Sequence, residues 1–333
     1  MAKFICAGHA SCDIPFRPVD RNVFDVDTVF AEETKVLTGG DALNIIVNMN
    51  KLKFGNHSKF VSVIGNDVFG KIILDYLKER NIDTSGITIR NDCSTLVSIA
   101  LIESNHERHF ICHGNAPQCI TVDDVISMLD QDTEYLHLGS LMSLDGLEFE
   151  NLKQLFIYAH QHNIKTSFDV TYDKTNQWYK RIKNGLPYTD VLFASYDEAV
   201  ALSGGKTTPE GIAEFFQNKG VNAFVLKLGK DGCYATDFTQ SITLPTYDGF
   251  PVVDTTGAGD GFVTGYLYGM MNGFSMAECC ILGNANGTLA VGAVGSTSGT
   301  GTLNQIINLI RTHGAKILDS EKLAVKLESL LTN

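Results

Sequence analysis

The sequence is short of positive charge: 26 Lys and Arg against 38 Asp and Glu leave a formal net charge of −12. That balance excludes a broad nucleic-acid-binding face and a polybasic membrane patch. A phosphate-bearing ligand must then be held locally, by backbone amides and helix ends rather than by a field of lysines. Nowhere do apolar residues run for the ~18 positions a membrane span needs. The opening Met1–Gly8 is too short for a signal-peptide core and reads as a first strand. The 8 cysteines include no C-x-x-C spacing, so they are expected as free thiols in a cytoplasmic chain. The dinucleotide fingerprint is missing, because Gly8-His9-Ala10-Ser11 follows the first strand. Gly204-Gly205-Lys206-Thr207 lacks the earlier glycine of a phosphate loop, since Val200 stands there, and reads as a helix end before Pro209. His106, His109 and His113 with Cys112 supply no clear third zinc ligand, as only His109 and His113 share a strand face.

What is present is a chain of 333 residues, 44% hydrophobic, enough for a sizeable core in one large domain with an appendage or in two. From about residue 35, short apolar runs (59–64, 135–138, 165–170, 191–194, 223–228) alternate with helical stretches (67–80, 147–162, 209–219), and the last hundred residues turn helical. That rhythm predicts an α/β fold with a mostly parallel sheet. Two places break it. Residues 13–37 and 95–113 look like strands without helices; Val97, Ile99 and Leu101 fall on one face, Ser104-Asn105-His106 supplies a turn, and Phe110 and Cys112 continue on the return. A small sheet beside the main domain is expected.

The strongest chemical signal is Val253-Asp254-Thr255-Thr256-Gly257-Ala258-Gly259-Asp260-Gly261-Phe262, where a small-residue turn feeds a helix. Glycines allow positive φ and close approach of a ligand. The first-turn amides of Gly257, Ala258 and Gly259, aided by the helix dipole, can hold an oxyanion. The same dipole is expected to keep Asp260 ionised, as suits a carboxylate that takes a hydroxyl proton. An anion hole beside a base is what phosphoryl transfer to an alcohol requires.

The run Asp-Thr-Thr-Gly-Ala-Gly-Asp resembles the signature of the PfkB, or ribokinase-like, family of carbohydrate and nucleoside kinases, and the resemblance spans nearly the whole chain. Gly39-Gly40-Asp41-Ala42-Leu43-Asn44 is similar to the family's N-terminal Gly-Gly signature. The resemblance implies substrate contacts from Gly39, Gly40, Asp41 and Asn44, and a sugar-binding role for Asp13. Leu226-Lys227-Leu228-Gly229-Lys230-Asp231-Gly232 looks like the strand-turn segment at the nucleotide, and Asn284–Gly295 like the helix flanking the adenine. Lys227, Gly229, Gly232, Asn284, Gly287 and Thr288 are therefore implied at the cofactor. Ser195-Tyr196-Asp197-Glu198 falls where the family has Asn-x-x-Glu; Glu198 is implied near Mg²⁺, while Ser195 in place of asparagine weakens a phosphate contact. Asp254 and Thr256 are implied at a monovalent cation such as K⁺.

The expectation is a three-layer αβα ribokinase-like domain (1–12, 38–92 and 114–333) with a β-sheet lid (13–37 and 93–113), using ATP and Mg²⁺ and pairing through its lids as a homodimer. The acceptor is expected to be the hydroxymethyl group of a neutral, ribose- or fructose-like sugar. Relatives acting on 2-keto-3-deoxygluconate or fructose often carry an arginine where Asp173 stands, and an aspartate there is expected to repel a sugar carboxylate. His113-Gly114-Asn115-Ala116 reads either as a substrate contact through Asn115 or as a hinge, and Arg17 either as a cleft residue or as solvated. Two alternatives stay open: a nucleoside kinase, for which Phe16 or Phe110 would offer the base a slot, and a non-catalytic sugar-binding regulator, against which the intact Gly257 and Asp260 argue.

Overall fold

A computed structural model describes residues 2–104, 107–313 and 320–331. In chain order the elements are β1 (Phe4–Gly8), β2 (Ser11–Arg17), β3 (Glu33–Thr34), β4 (Leu37–Gly39), α1 (Asp41–Lys51), β5 (Ser58–Gly65), α2 (Val68–Lys78), β6 (Ile87–Arg90), β7 (Leu96–Ile102), β8 (Arg108–His113) and α3 (Val122–Ile126). Then come β9 (Tyr135–Gly139), α4 (Glu150–Gln161), β10 (Lys165–Asp169), α5 (Tyr179–Ile182), β11 (Val191–Ser195), α6 (Tyr196–Leu202), α7 (Pro209–Gln217), β12 (Phe224–Lys227), β13 (Cys233–Thr236) and β14 (Ser241–Leu244). The helices α8 (Ala258–Met271), α9 (Met276–Ala290), α10 (Leu303–His313) and α11 (Ser320–Leu331) complete the chain.

Nine strands form one sheet in the order β14-β13-β12-β11-β10-β9-β1-β5-β6, parallel except that β13 runs antiparallel to both of its neighbours. Its strands are apolar on both faces because helices cover both. Phe4 and Cys6 of β1 enter the core shared with α1, α2 and α8–α11, while Ile5 and Ala7 enter the core shared with α3, α4, α6 and α7. The expected αβα layering follows from that two-sided alternation. From β1 the chain runs outward through β5 and β6, then returns to β9 on the other side. A crevice opens at such a reversal, outside the carboxyl ends of the strands.

The second sheet has the order β3-β2-β7-β8, with β4 also paired to β2. β2 and β7 run parallel, the other pairs antiparallel. Asn105 and His106, part of the turn expected here, lie outside the described residues, so the His106 arm of the zinc question falls there too. The apolar face expected of Val97, Ile99 and Leu101 exists, but it is the back of this sheet. The alternate residues Ser98, Ala100 and Ile102, with Asp13, Pro15 and Arg17 of β2, face a cleft. No helix among the described residues is long and apolar enough to cross a membrane.

Candidate active site

The parallel strands deliver the site in a row. Gly8, Gly139, Asp169, Ser195 and Lys227 are each the last residue of β1, β9, β10, β11 and β12. Facing them is the N-terminus of α8. That helix is encased between α1 and α9, with Gly261 through Gly269 buried, so its first turn is held in place from behind. Gly257 caps it at φ 78°, and a Cβ there would collide with the carbonyl of Ser296. Gly261 N–H is the first to donate within the helix, to the Gly257 carbonyl. The N–H of Ala258 bends back to the Thr255 carbonyl at 3.3 Å, which leaves Gly259 and Asp260 as the first-turn amides that point out of the helix end.

Asp260 accepts a 2.7 Å hydrogen bond from Asn44 Nδ2, and Asn44 Oδ1 in turn accepts one of 2.9 Å from Ser296 Oγ. The helix-dipole argument expected an ionised Asp260. Burial opposes that charge: with the Asp41 carboxylate adding to it, burial pushes the Asp260 pKa well above the ordinary range, against the pull of Asn44 and Lys227. Asp260 is thus poised to keep a proton once it has one.

Around it the carboxylates outnumber the cations. Lys227 forms an ion pair with buried Asp169 and points toward the anion turn, with Nζ 3.6 Å from where a Gly259 Cβ would stand. Burial lifts Asp169 to about 6 although Lys227 pulls it down, with Glu198 and Asp41 adding to the rise. Asp41 accepts a hydrogen bond from Ser140, a left-handed residue at φ 55° that follows β9. Asp13 accepts 2.9 Å from Ser11 Oγ and is lifted by burial to about 6. Gly39 leaves the room its carboxylate fills, while Gly40 (φ 99°) lies against the His9 carbonyl.

A cleft of about 740 Å³ runs beside this cluster, between the small sheet and the residues leading into α8. Asp13, Arg17, Phe110, Asp254, Thr256 and Ser296 line it. Asp260 itself does not line it; two hydrogen bonds, through Asn44, link it to Ser296 on the cleft wall. Of the two aromatic candidates only Phe110 faces the cleft. The structure also supplies residues the sequence did not single out: Glu32, Glu33 and Glu103 line the same cleft. Five carboxylates (with Asp13 and Asp254) therefore face one arginine, and Arg17 is already paired with Glu33 at 2.8 Å.

Other expected residues are drawn elsewhere. Asn284 donates to the Pro245 carbonyl (3.0 Å) and Thr288 bonds Thr246 (2.8 Å), so both clip residues 244–246 rather than reach into the cleft. Gly287 lets α9 approach the Ala258 carbonyl. Gly229 (φ 60°) and Gly232 (φ 92°) make the turn after β12, and Gly232 packs under the Leu244 carbonyl. Ser195 and Glu198 form a reciprocal cap on α6, with Glu198 Oε2 accepting from Ser195 N–H at 2.8 Å. Asp254 braces its loop: one oxygen accepts from Thr256 N–H and O–H, the other from Gly295 N–H at 3.0 Å. The oxygens expected to meet a monovalent cation are engaged in that brace. Asn115 gives its side-chain oxygen to Ser94 N–H at 2.9 Å, a tie at the foot of the β7–β8 hairpin.

Asp173 needs a correction. It does not face the cleft. It is buried against Arg181 and accepts from the N–H groups of Thr175, Gln177 and Trp178. Burial opposes its charge, yet the bonds from Thr175, Trp178 and Arg181 hold it well below the usual carboxylate range. Its charge is spent on a structural knot, so it repels no substrate. The case against acidic substrates rests instead on the five carboxylates of the cleft.

Comparison with known proteins agrees with this geometry. The sequence pattern of the pfkB family carbohydrate kinase matches residues 1–303. A 2-dehydro-3-deoxygluconokinase of Bacillus subtilis is 28% identical over 287 residues, covering 83% of this chain and 87% of its own. An ATP-dependent 6-phosphofructokinase of Thermoanaerobacterium thermosaccharolyticum is 27% identical over 267 residues, 79% of this chain and 80% of its own. Among solved structures, ribokinase from Thermotoga maritima superposes with a TM-score of 0.78 at 23% identity, covering 94% of this chain and all of that one. With the signature turn, the two sheets and the matched 303 residues in agreement, the chain belongs to the pfkB family of carbohydrate kinases, phosphotransferases with an alcohol as acceptor.

Proposed function

We propose that the chain transfers the γ-phosphoryl group of ATP to the hydroxymethyl group of a neutral, ribose- or fructose-like sugar. The observation that carries the choice of sugar is the cleft's five carboxylates against one paired arginine. Sugar acids and phosphorylated sugars would meet a surplus of like charge there, whereas a polyol offers hydroxyl donors to the carboxylate oxygens not already engaged by Arg17, His109 or the Asp254 brace. The relatives' names span phosphofructokinase, deoxygluconokinase and fructokinase, so the family by itself leaves the sugar open. Proteins of this fold solved with ATP include an Arabidopsis thaliana ribokinase that also holds ribose and an E. coli chain that also holds Mg²⁺.

In this reading Asp13, Gly39 and Asp41 orient the sugar. Asp260 takes the hydroxyl proton as the acceptor oxygen bonds to the γ-phosphorus and the bond to the leaving oxygen breaks. The outward amides of Gly259 and Asp260, with Lys227 beside them, stabilise charge on the transferring group. The donor set is all oxygen, which fits Mg²⁺ rather than a thiophilic metal. Glu198 is the residue that would hold it, mainly through water; the ion would neutralise phosphate charge. Residues 13–37 and 93–113 act as the lid. Its back face, with Ile14, Phe16, Ile99, Leu101 and Ile111 on the strands, supports pairing of two chains through their lids. Phe110, 60% exposed and turned to the cleft, favours a nucleoside as the second reading.

An ADP-release screen over pentoses, hexoses, sugar acids and nucleosides tests the proposal. A neutral pentose or hexose is expected to give the highest kcat/KM. A sugar acid or a nucleoside at the top, or no turnover on any sugar, would overturn it.

A further inference from the structure

Loop 295–301 joins α9 to α10 and presses on the first turn of α8. The Ser296 carbonyl occupies the space a Gly257 side chain would need, and the Thr300 methyl lies 3.4 Å from where a Gly261 Cβ would stand. Both ends of the loop are latched. Gly295 N–H donates to Asp254 at 3.0 Å; Gly301 N–H donates to Asn286 Oδ1 at 2.9 Å, and Asn286 Nδ2 holds the Gly261 carbonyl at 2.9 Å. Yet the loop reads Gly-Ser-Thr-Ser-Gly-Thr-Gly and has no aliphatic or aromatic residue to bury, so hydrogen bonds must place it. α1 supplies them from one face, at Asn44, Asn48 and Lys51, successive turns apart. Asn44 Oδ1 accepts from Ser296 Oγ at 2.9 Å, and Asn48 Oδ1 accepts from Thr300 Oγ1 at 2.6 Å. Lys51, half-buried at the end of the helix, donates to the Thr297 carbonyl and, at 3.0 Å each, to the Thr300 carbonyl and the Thr300 hydroxyl. The three N–H bonds of the ammonium thus end on neutral oxygens of one loop, with no carboxylate partner among the described residues.

We propose that Lys51 is a positioning residue for phosphoryl transfer, a tethered cation that closes loop 295–301 onto the N-terminus of α8. Lys51 does not line the cleft; its charge reaches the chemistry through the loop, along two short routes. One runs from Ser296 Oγ through Asn44 to the Asp260 carboxylate, in steps of 2.9 and 2.7 Å. The other is the contact of the Ser296 carbonyl with Gly257, which fixes the turn whose Gly259 and Asp260 amides point outward. Oxygens that converge without a cation repel one another, and a buried acceptor left unpaired is costly. Charge-assisted hydrogen bonds are about twice as strong as neutral ones, so the three from Lys51 outweigh the single neutral bond that each asparagine adds. The effect on turnover rests on the sugar-kinase reading; the ordering of the loop does not.

The test is Lys51→Ala in the full chain. kcat is expected to fall roughly 10- to 100-fold, the scale on which a misplaced catalytic group costs turnover, with KM for the sugar and Kd for ATP within about twofold. Ethylammonium, which can refill the three-oxygen site, should restore part of kcat to the variant and add none to the natural chain; tetramethylammonium, with the same charge and no N–H, should restore nothing. Adding Ser296→Ala to Lys51→Ala should cost less than the product of the two single losses, because both act through one chain of contacts. Amide exchange in 257–262 and 295–301 should quicken severalfold in Lys51→Ala and slow again with ethylammonium. A lysine that only stabilised the fold would lower Tm and leave kcat of the folded variant untouched. The proposal is overturned if folded Lys51→Ala keeps the natural kcat, if ethylammonium rescues no better than tetramethylammonium, if the two losses multiply, or if exchange in 257–262 is unchanged. Should that variant not fold, Thr300→Val, which removes one acceptor and keeps the shape, decides: a severalfold loss of kcat is expected, and an unchanged kcat overturns the proposal. Should no sugar be turned over at all, exchange still decides the loop, and the kinase reading fails by itself.

Discussion

Two places in this molecule gather carboxylates around a single cation, and they do opposite things with them. Around Arg181, Glu148 and Asp173 are hydrogen-bonded to a planar guanidinium, and Asp145 joins from the surface at 2.9 Å. Burial does lift Glu148 to about 7, but Asp173 is held low and Arg181 is held charged by its partners. Around Lys227, by contrast, Asp169, Glu198 and Asp260 share one ammonium that pairs directly with Asp169 alone, and Asp41 adds its charge to Asp169 and Asp260. Asp169 and Asp260 are both pushed up. A fork that satisfies its neighbours makes a knot; a point charge that cannot leaves a surplus of negative charge waiting for a ligand. The lesson is that uncompensated charge, rather than charge as such, separates a site from a staple.

The comparison is broken most sharply at Asp260. Asp260→Asn should keep ATP affinity, read by titration calorimetry, and lose a factor of ~10²–10⁴ in kcat. Because burial raises the Asp260 pKa, the natural enzyme should lose kcat/KM on the acid side at a pH above the ordinary carboxylate range, as the base gains its proton. Next in size, Arg181→Met leaves Glu148 and Asp173 buried without their cation and should cost roughly 3–5 kcal/mol by urea denaturation, with kcat of the folded protein within about twofold. Asp13→Asn sharpens the contrast from the other side. The folded Asp13 pKa of about 6 lies above the ordinary aspartate value of 3.8, so the folded state binds the proton more tightly than the unfolded one. Stability therefore falls as pH rises from about 4 to about 6, and the penalty is complete above that. Removing the carboxyl should raise stability at pH 8 by about 2 kcal/mol after allowing for screening, with little gain at pH 3, while KM for the sugar rises. The smallest effect is expected at the rim. Glu103→Gln should improve kcat/KM for a sugar acid by a few fold at low salt and leave the neutral sugar nearly unchanged.

Much of this was legible in order. The alternation of short apolar runs with helical stretches marked six of the nine strands of the large sheet, those buried on both faces, while the partly exposed edge strands β6 and β14 and the short antiparallel β13 were not singled out. The glycine turn before α8 was readable because positive φ at Gly257 demands that residue. The surplus of charge was not. Asp169 and Lys227 are each an ordinary ending to an apolar run, 58 positions apart; only strand order makes β10 a neighbour of β11 and β11 of β12. Lys227 entered the reading only through the family resemblance and Asp169 had no role in it; one general signal could have joined the two, namely that the last residue of each parallel strand faces the crevice. Asp173 misled for the converse reason. Its place in the chain resembled a substrate contact, while its role is set by Arg181, eight residues on. Which face of the small sheet looks inward also escaped a reading of hydrophobicity, since Val97, Ile99 and Leu101 turn away from the cleft.

The two sheets divide the labour of the enzyme along the chain. In the proposed mechanism the start of α8 and the strand end at Lys227 would carry the groups that move a phosphoryl, and most of the residues that face the cleft come from the two insertions 13–37 and 93–113. Changes in taste can then accumulate in a few dozen surface positions without touching the chemistry, so one catalytic engine can serve many diets.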